Sequence, residues 1–204
     1  MLTPRNRALA ERTSLPGQVR IIGGMLRGSR LAVPELPGLR PTPSRVRETL
    51  FNWLAPVLPG ARCLDLYAGS GALGIEALSR GAREVCFIER NGRLADALRA
   101  NLKRLRQPGG RVIDSDALAF LAGVPEPFDV VFLDPPYAAD AWQAAAQAVS
   151  PWLSPGARVY VEYPSASPEP SLPAHWQPLR RGRAGQVAFA LYASGGAAEP
   201  STGC

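Results

Sequence analysis

Short apolar runs along the chain alternate with stretches where apolar residues recur every three or four positions. Cys63-Leu64-Asp65-Leu66-Tyr67, Val85–Glu89, Val112-Ile113, Phe128–Leu133 and Ala157–Tyr163 read as strands. Between them, Ala72–Arg80 (closed by Gly81), Leu94–Leu105 and Trp142–Val149 read as helices, with a helical turn at Leu118–Leu121. Upstream, Arg20-Ile21-Ile22-Gly23-Gly24 and Leu26–Val33 suggest a hairpin turning at the glycine pair. Pro34–Pro43 is a proline-rich linker, and Ser44 is the expected N-cap of a helix carrying Val46, Leu50, Trp53 and Leu54. Trp176–Arg180 and Val187–Tyr192 make a closing hairpin. Strands alternating with helices define an α/β fold, a Rossmann-like doubly wound sheet that is mostly parallel with an antiparallel C-terminal hairpin. Four segments are expected: a flexible basic arm (1–17), a hairpin-and-helix extension (18–56), the α/β domain (57–193) and a disordered tail (194–204).

Composition narrows the class. At 204 residues, 46% hydrophobic and 20% charged, the chain is the size and balance of one soluble domain. A chain this long buries roughly 70% of its unfolded surface, enough for a core without disulfides or a structural metal. Its three cysteines lack metal-ligand spacing, and Cys63 and Cys86 lie in apolar runs where a reduced, buried thiol is expected. No metal site is expected. No apolar run reaches membrane-spanning length, and the start with Arg5, Arg7 and Arg12 lacks the apolar stretch of a signal peptide. The expectation is a cytoplasmic protein, monomeric because no heptad pattern is sustained.

Charge is unevenly placed. Of the net +6, residues 1–47 carry nine arginines against Glu11 and Glu35, or +7, and the remainder sums to −1. A basic segment on a near-neutral body is the footprint of a polyanion. Arg20, Arg27, Arg30, Arg40, Arg45 and Arg47 are the candidate nucleic-acid contacts.

Two motifs carry chemistry. Gly69-Ser70-Gly71-Ala72-Leu73-Gly74 sets G-x-G-x-x-G between a strand and a helix, where glycines permit a tight turn and close backbone approach. The motif alone suits NAD, FAD or S-adenosylmethionine (SAM). Acids surround it: Asp65 four residues before the loop, Glu89 at the end of the next strand, Asp116 after the third. Glu89 is placed to accept from ribose hydroxyls, and Asp116 from an adenine amine. Carboxylates repel a pyrophosphate and attract a cationic amino-acid moiety, so SAM is the expected cofactor, with Asp65, Tyr67, Gly69, Gly71, Glu89, Asp116 and Ala117 as its contacts. Read as plain structure, Asp65 would be a satisfied turn-former and Asp116 a helix N-cap.

The second motif, Asp134-Pro135-Pro136-Tyr137, closes the strand Phe128–Leu133. Its prolines remove N–H donors and fix the backbone, leaving carbonyl acceptors. Asp134 and the Pro135 carbonyl can then accept from one planar exocyclic amine while Tyr137 stacks on its base. Asp134, Pro135 and Tyr137 are the candidate catalytic residues.

Glycine loop, acidic strand ends and Asp-Pro-Pro-Tyr together resemble the class I SAM-dependent amino-methyltransferases. More narrowly, Arg20–Gly24, Arg40-Pro41-Thr42, Arg45–Leu54, Asp65–Gly81 and Ala184–Ala188 are similar to the RsmD family of bacterial 16S rRNA (guanine-N2)-methyltransferases. The resemblance runs from about Arg20 to Tyr192. It implies a seven-stranded sheet, an RNA-binding N-terminal extension, and methylation of guanine-966 N2 in 16S rRNA of the 30S subunit or its assembly intermediate. Family members often carry Phe at the positions of Tyr67 and Tyr137, which keeps the aromatic face. The rivals are a DNA adenine-N6 methyltransferase, for which no target-reading region remains, and a non-catalytic RNA-binding module, which leaves Asp134–Tyr137 and Glu89 unexplained. A NAD-dependent oxidoreductase lacks a proton donor, since the one histidine, His175, sits in a proline-flanked stretch.

Overall fold

A computed structural model describes residues 17–36, 42–135 and 141–195. The expected arm up to Pro16, Arg40, Pro136, Tyr137 and the expected tail beyond Gly195 lie outside the described residues. The chain runs β1 (Gly17–Arg20), β2 (Arg30–Val33), α1 (Ser44–Leu54), β3 (Arg62–Asp65), α2 (Ala72–Ser79), β4 (Glu84–Glu89), α3 (Gly92–Arg104) and β5 (Gly110–Asp114). It continues with α4 (Ala117–Leu121), β6 (Phe128–Leu133), α5 (Ala141–Val149), β7 (Leu153–Pro164), β8 (Trp176–Ala184) and β9 (Val187–Ser194).

Seven strands form one sheet in the order β5-β4-β3-β6-β7-β9-β8. The first five are mutually parallel; β9 runs antiparallel to both β7 and β8. This is the α/β architecture that the strand–helix alternation predicts. The period of two along each strand divides the interior. Cys63, Val85, Phe87, Val130, Phe132 and Tyr160 face one apolar cluster with α1, α2 and α3. Leu64, Cys86, Ile88, Val131, Leu133 and Val161 face the other, with α4 and α5. Both Cys63 and Cys86 are free and buried, as their apolar settings predict. Among the described residues no helix is long and apolar enough to cross a membrane.

Two local expectations are corrected. The hairpin β1–β2 does not turn at Gly23-Gly24; residues 21–29 form a longer connection whose backbone docks on α2. Met25 N–H donates to the Ser79 carbonyl at 2.7 Å, and Leu26 N–H to Ser79 Oγ at 2.9 Å. A Cβ on Gly24 would lie 1.9 Å from the Ser79 carbonyl oxygen, and φ there is +73°. The glycine thus serves a close approach between segments. Second, Ser44 is not the N-cap of α1. Pro43 holds that place without a side-chain cap, and Ser44 Oγ instead accepts from Arg47.

The N-terminal segment has no core of its own. Val19, Ile21, Leu31, Val46, Leu50 and Phe51 belong to the cluster that covers one face of the large sheet. Asn101 of α3 binds β2 like a neighbouring strand, accepting from Ala32 N–H at 3.1 Å and donating to its carbonyl at 2.9 Å.

Candidate active site

Strand β3 lies between β4 and β6, so the winding direction reverses there. In doubly wound sheets this reversal opens a crevice at the carboxyl ends of the strands. Four acids reach that edge from adjacent strands: Glu89 ends β4, Asp65 ends β3, Asp134 follows β6, and Glu162 lies near the end of β7. Among the described residues none of the four forms an ion pair.

The glycine loop spans β3 to α2. Gly69 and Gly71 adopt φ of +52° and +72°, which the chain's L residues strongly resist. Close packing adds a second demand: a Cβ on Gly74 would meet Phe87 Cε1 at 2.1 Å. Glu89 braces the loop, Oε2 accepting from Gly69 N–H at 2.8 Å and Oε1 from Asn91 N–H at 2.7 Å. A carboxylate offers about four lone-pair positions, so half remain for a ligand.

Asp65 is buried, and its Oδ2 accepts from Gly74 N–H at 3.0 Å. Through this oxygen the carboxyl braces the turn, the turn-forming role. Burial pushes Asp65 up to about 7, with neighbouring Glu89 adding to the rise and Gly74 N–H opposing it. Asp116 is exposed and caps α4, its Oδ1 accepting from Leu118 N–H at 2.9 Å and Ala119 N–H at 3.2 Å. Half-buried Tyr67 is pushed up to about 12 by burial and then by the Asp116 carboxylate. Ala117 is buried.

Asp134 is held well above the usual carboxylate range, first by burial, then by the charges of Glu162 and Asp65. Glu162 was not anticipated, although an acid inside Val159-Tyr160-Val161-Glu162-Tyr163 is itself a signal. It is buried, with Oε2 accepting from Tyr160 O–H at 2.6 Å and a further bond from the Thr42 side chain. Thr42, the last residue of the Arg40-Pro41-Thr42 block, is thereby held at this edge of the sheet.

The arginines divide. Arg20, Arg27, Arg30 and Arg45 are exposed. Arg47 is corrected: it is buried, so it does not face an RNA. Its guanidinium lies 3.5 Å from Glu76 and donates to the Thr42 and Arg20 carbonyls. Helical periodicity foretells this, since Val46, Arg47, Leu50, Phe51 and Leu54 share the buried face of α1.

A bare glycine turn ringed by acids without counter-ions suits a cationic adenosine derivative, and the residues present therefore fit SAM. The fold and this site define a class I methyltransferase. Its backbone superimposes on a structure described as putative methyltransferase yhhF from Escherichia coli, with TM-score 0.82 and 44% identity, covering 88% of this chain and 99% of that one. The fold is also that of the Thermus thermophilus 16S rRNA N2 G1207 methyltransferase in complex with AdoMet and guanosine, with TM-score 0.65 and 22% identity over 88% of this chain and 50% of that one. Residues 19–193 match the family described as Conserved hypothetical protein 95, and the chain belongs to that family. It is 48% identical over 178 residues to the ribosomal RNA small subunit methyltransferase D of Escherichia coli strain K12, covering 86% of this chain and 90% of the relative.

Proposed function

We propose that the protein is a SAM-dependent methyltransferase of small-subunit rRNA that methylates the exocyclic N2 of a guanine. By family resemblance the target is guanine-966 of 16S rRNA, presented by the 30S subunit or its assembly intermediate. The observation that carries the reading is Asp134, an acid at the end of β6 beside the glycine loop, at the reversal of the sheet. When bound, SAM supplies an electrophilic methyl group on a sulfonium. The Gly69–Gly71 backbone, Glu89, Asp65, Tyr67, Asp116 and Ala117 would hold it.

A guanine N2 is a poor nucleophile because its lone pair is delocalised into the ring. Asp134 and the Pro135 carbonyl would accept its two hydrogens, fixing the nitrogen and favouring a pyramidal geometry. The ionised Asp134 then takes the proton that the nitrogen sheds. Tyr137 supplies a ring face to the base, which must leave its stack to reach a pocket. The exposed Arg20, Arg27, Arg30 and Arg45, with Arg40, would contact rRNA phosphates. The same reading makes residues 18–56 the RNA-binding extension of the methyltransferase domain 57–193, in a monomeric cytoplasmic protein.

The decisive experiment incubates the protein with labelled SAM and 30S subunits lacking the modification, then maps the labelled nucleotide. The expected product is N2-methylguanine at one position of 16S rRNA; label on any other atom or base, or none, overturns the reading.

Two expected results test the cofactor assignment. Glu89→Ala should weaken SAM binding by about 1–3 kcal/mol, the loss of an acceptor shared by two hydroxyls. Unchanged affinity by calorimetry would remove Glu89 from the site. Asp65 makes binding pH-dependent. Its folded value near 7 lies above the ~3.9 of an unfolded aspartate, so the ligand-free fold loses stability as pH rises between those values. A cationic ligand favours the ionised form, so SAM affinity should rise from about pH 6 to 8 with proton release. Calorimetry in buffers of different ionisation enthalpy measures that release; none would exclude Asp65 as a partner of the cation.

A further inference from the structure

The positive charge is not confined to the N-terminal 47 residues. Residues 92–111, from α3 to the start of β5, hold six basic side chains against the single acid Asp96, a net of +5. The rest of the chain beyond Arg47 therefore carries −6, and the near-neutral sum over that region conceals a second basic block.

Arg99, Lys103 and Arg106 are spaced i, i+4, i+7, so they stack on one side of α3 and its end. With Gln107 they line a cleft of about 540 Å³ floored by Leu102 and Val112. All three cations are exposed. Arg99 pairs with Asp96 at 2.9 Å, whereas Lys103 and Arg106 form no ion pair among the described residues.

Stability does not explain this arrangement. Like charges one turn apart repel. Arg106 also has φ +53° and is the only non-glycine residue with positive φ among those described. It occupies the residue after the helix cap: Arg106 N–H donates to the Lys103 carbonyl at 3.1 Å and Gln107 N–H to the Leu102 carbonyl at 3.0 Å. Glycine is the usual occupant of that position because it has no Cβ to clash. Strain and repulsion at one spot point to a use for the side chains.

We propose that the C-terminal half of α3, with the turn after it, is a docking site for the sugar–phosphate backbone of the rRNA, outside the methyl-transfer site. The inference rests on rRNA being the substrate. Arg99 to Arg106 extend over about 10 Å of helix axis, a line of cations that suits successive phosphates better than one small anion. The N-terminal hairpin docks on the other flank of α3, where Arg104 donates to the Arg30 carbonyl and Asn101 pairs with Ala32, so the segment carrying the exposed Arg20, Arg27 and Arg30 is fixed to the same helix.

Arg106→Gly separates function from structure. It should raise Tm by about 2–4 °C by relieving the left-handed strain, while weakening binding to naked 16S rRNA. Adding Arg99→Gln and Lys103→Gln should lower the slope of log affinity against log salt by about 2, with SAM affinity unchanged. Lys103 is the only lysine of the chain, so its labelling by an amine-selective reagent should slow when rRNA is added. An unaltered salt slope and unprotected Lys103, in a wild-type protein that binds rRNA, would overturn the proposal. So would a defect seen on 30S subunits but not on naked rRNA, which would assign the cleft to a protein partner. Failure of the unsubstituted protein to bind or methylate rRNA would fell the functional reading itself, a result visible without any variant.

Discussion

Asp134→Ala should reduce turnover by about 10²- to 10⁴-fold, the range for losing a positioned proton acceptor or an electrostatic partner of the reacting group. Affinity for SAM and for rRNA should change little. Stability should hold or rise, because Asp134 is partly buried and its ionised form is repelled by Glu162 and Asp65. Removing one of several crowded acids relieves that repulsion, the usual relation between a reactive site and the fold that carries it. Activity should also increase with pH in the wild type, since Asp134 accepts a proton only when ionised and its titration lies above the usual carboxylate range. Single-turnover rates on unmodified 30S subunits, with a melting curve for each variant, test both halves. A rate within tenfold of wild type would remove Asp134 from the chemistry.

Glu76→Ala should be the most destabilising substitution considered, at about 3–5 kcal/mol, the range for breaking a buried ion pair by deleting one partner. Glu76 is wholly buried in α2 and accepts from Ile22 N–H at 2.8 Å, Gly23 N–H at 2.7 Å and Arg80 Nε at 2.8 Å. Arg47 stands 3.5 Å away, its own pKa lowered by burial. Without Glu76 the Arg47 charge is buried alone and two backbone donors lose their acceptor. Pairing the change with Arg47→Met should recover part of the loss, because the orphaned charge goes, though the hairpin amides stay unsatisfied. Chemical denaturation of the single and double variants measures this. Loss below about 1 kcal/mol for Glu76→Ala would show the network to be dispensable. The same geometry means that reversing Arg47 would disrupt the fold, so charge-reversal tests of RNA binding belong at Arg20, Arg27, Arg30 and Arg45.

The central sheet was legible because its signals are local. Phe128–Leu133 is an uninterrupted apolar run between polar segments, and the structure gives β6 the same bounds. α2 was legible from both ends, with Gly71 before it and Gly81 after it in left-handed conformations that other residues resist. Ser44 misled because Ser is a good cap on average, whereas here Arg47 recruits its hydroxyl. Gly23-Gly24 misled for a related reason: a glycine pair marks either a turn or a close approach, and only the position of Ser79 decides between them.

The amino-acid sequence by itself determined the doubly wound class, the glycine loop, and the acids at the ends of its strands, because period-two alternation and left-handed glycines are properties of neighbouring residues. Composition and net charge could not determine which charges face water. Arg47 and Arg45 read alike in composition, yet helix α1 turns one inward to Glu76 and the other outward. Glu162 and Thr42 lie 120 positions apart and meet only once β7 joins the sheet beside β6. Arg99, Lys103 and Arg106 add little to a sum over the chain but become a line of charge when α3 forms. Local backbone preference acts over a few residues, whereas burial, pairing and charge clustering depend on distances that only tertiary packing sets.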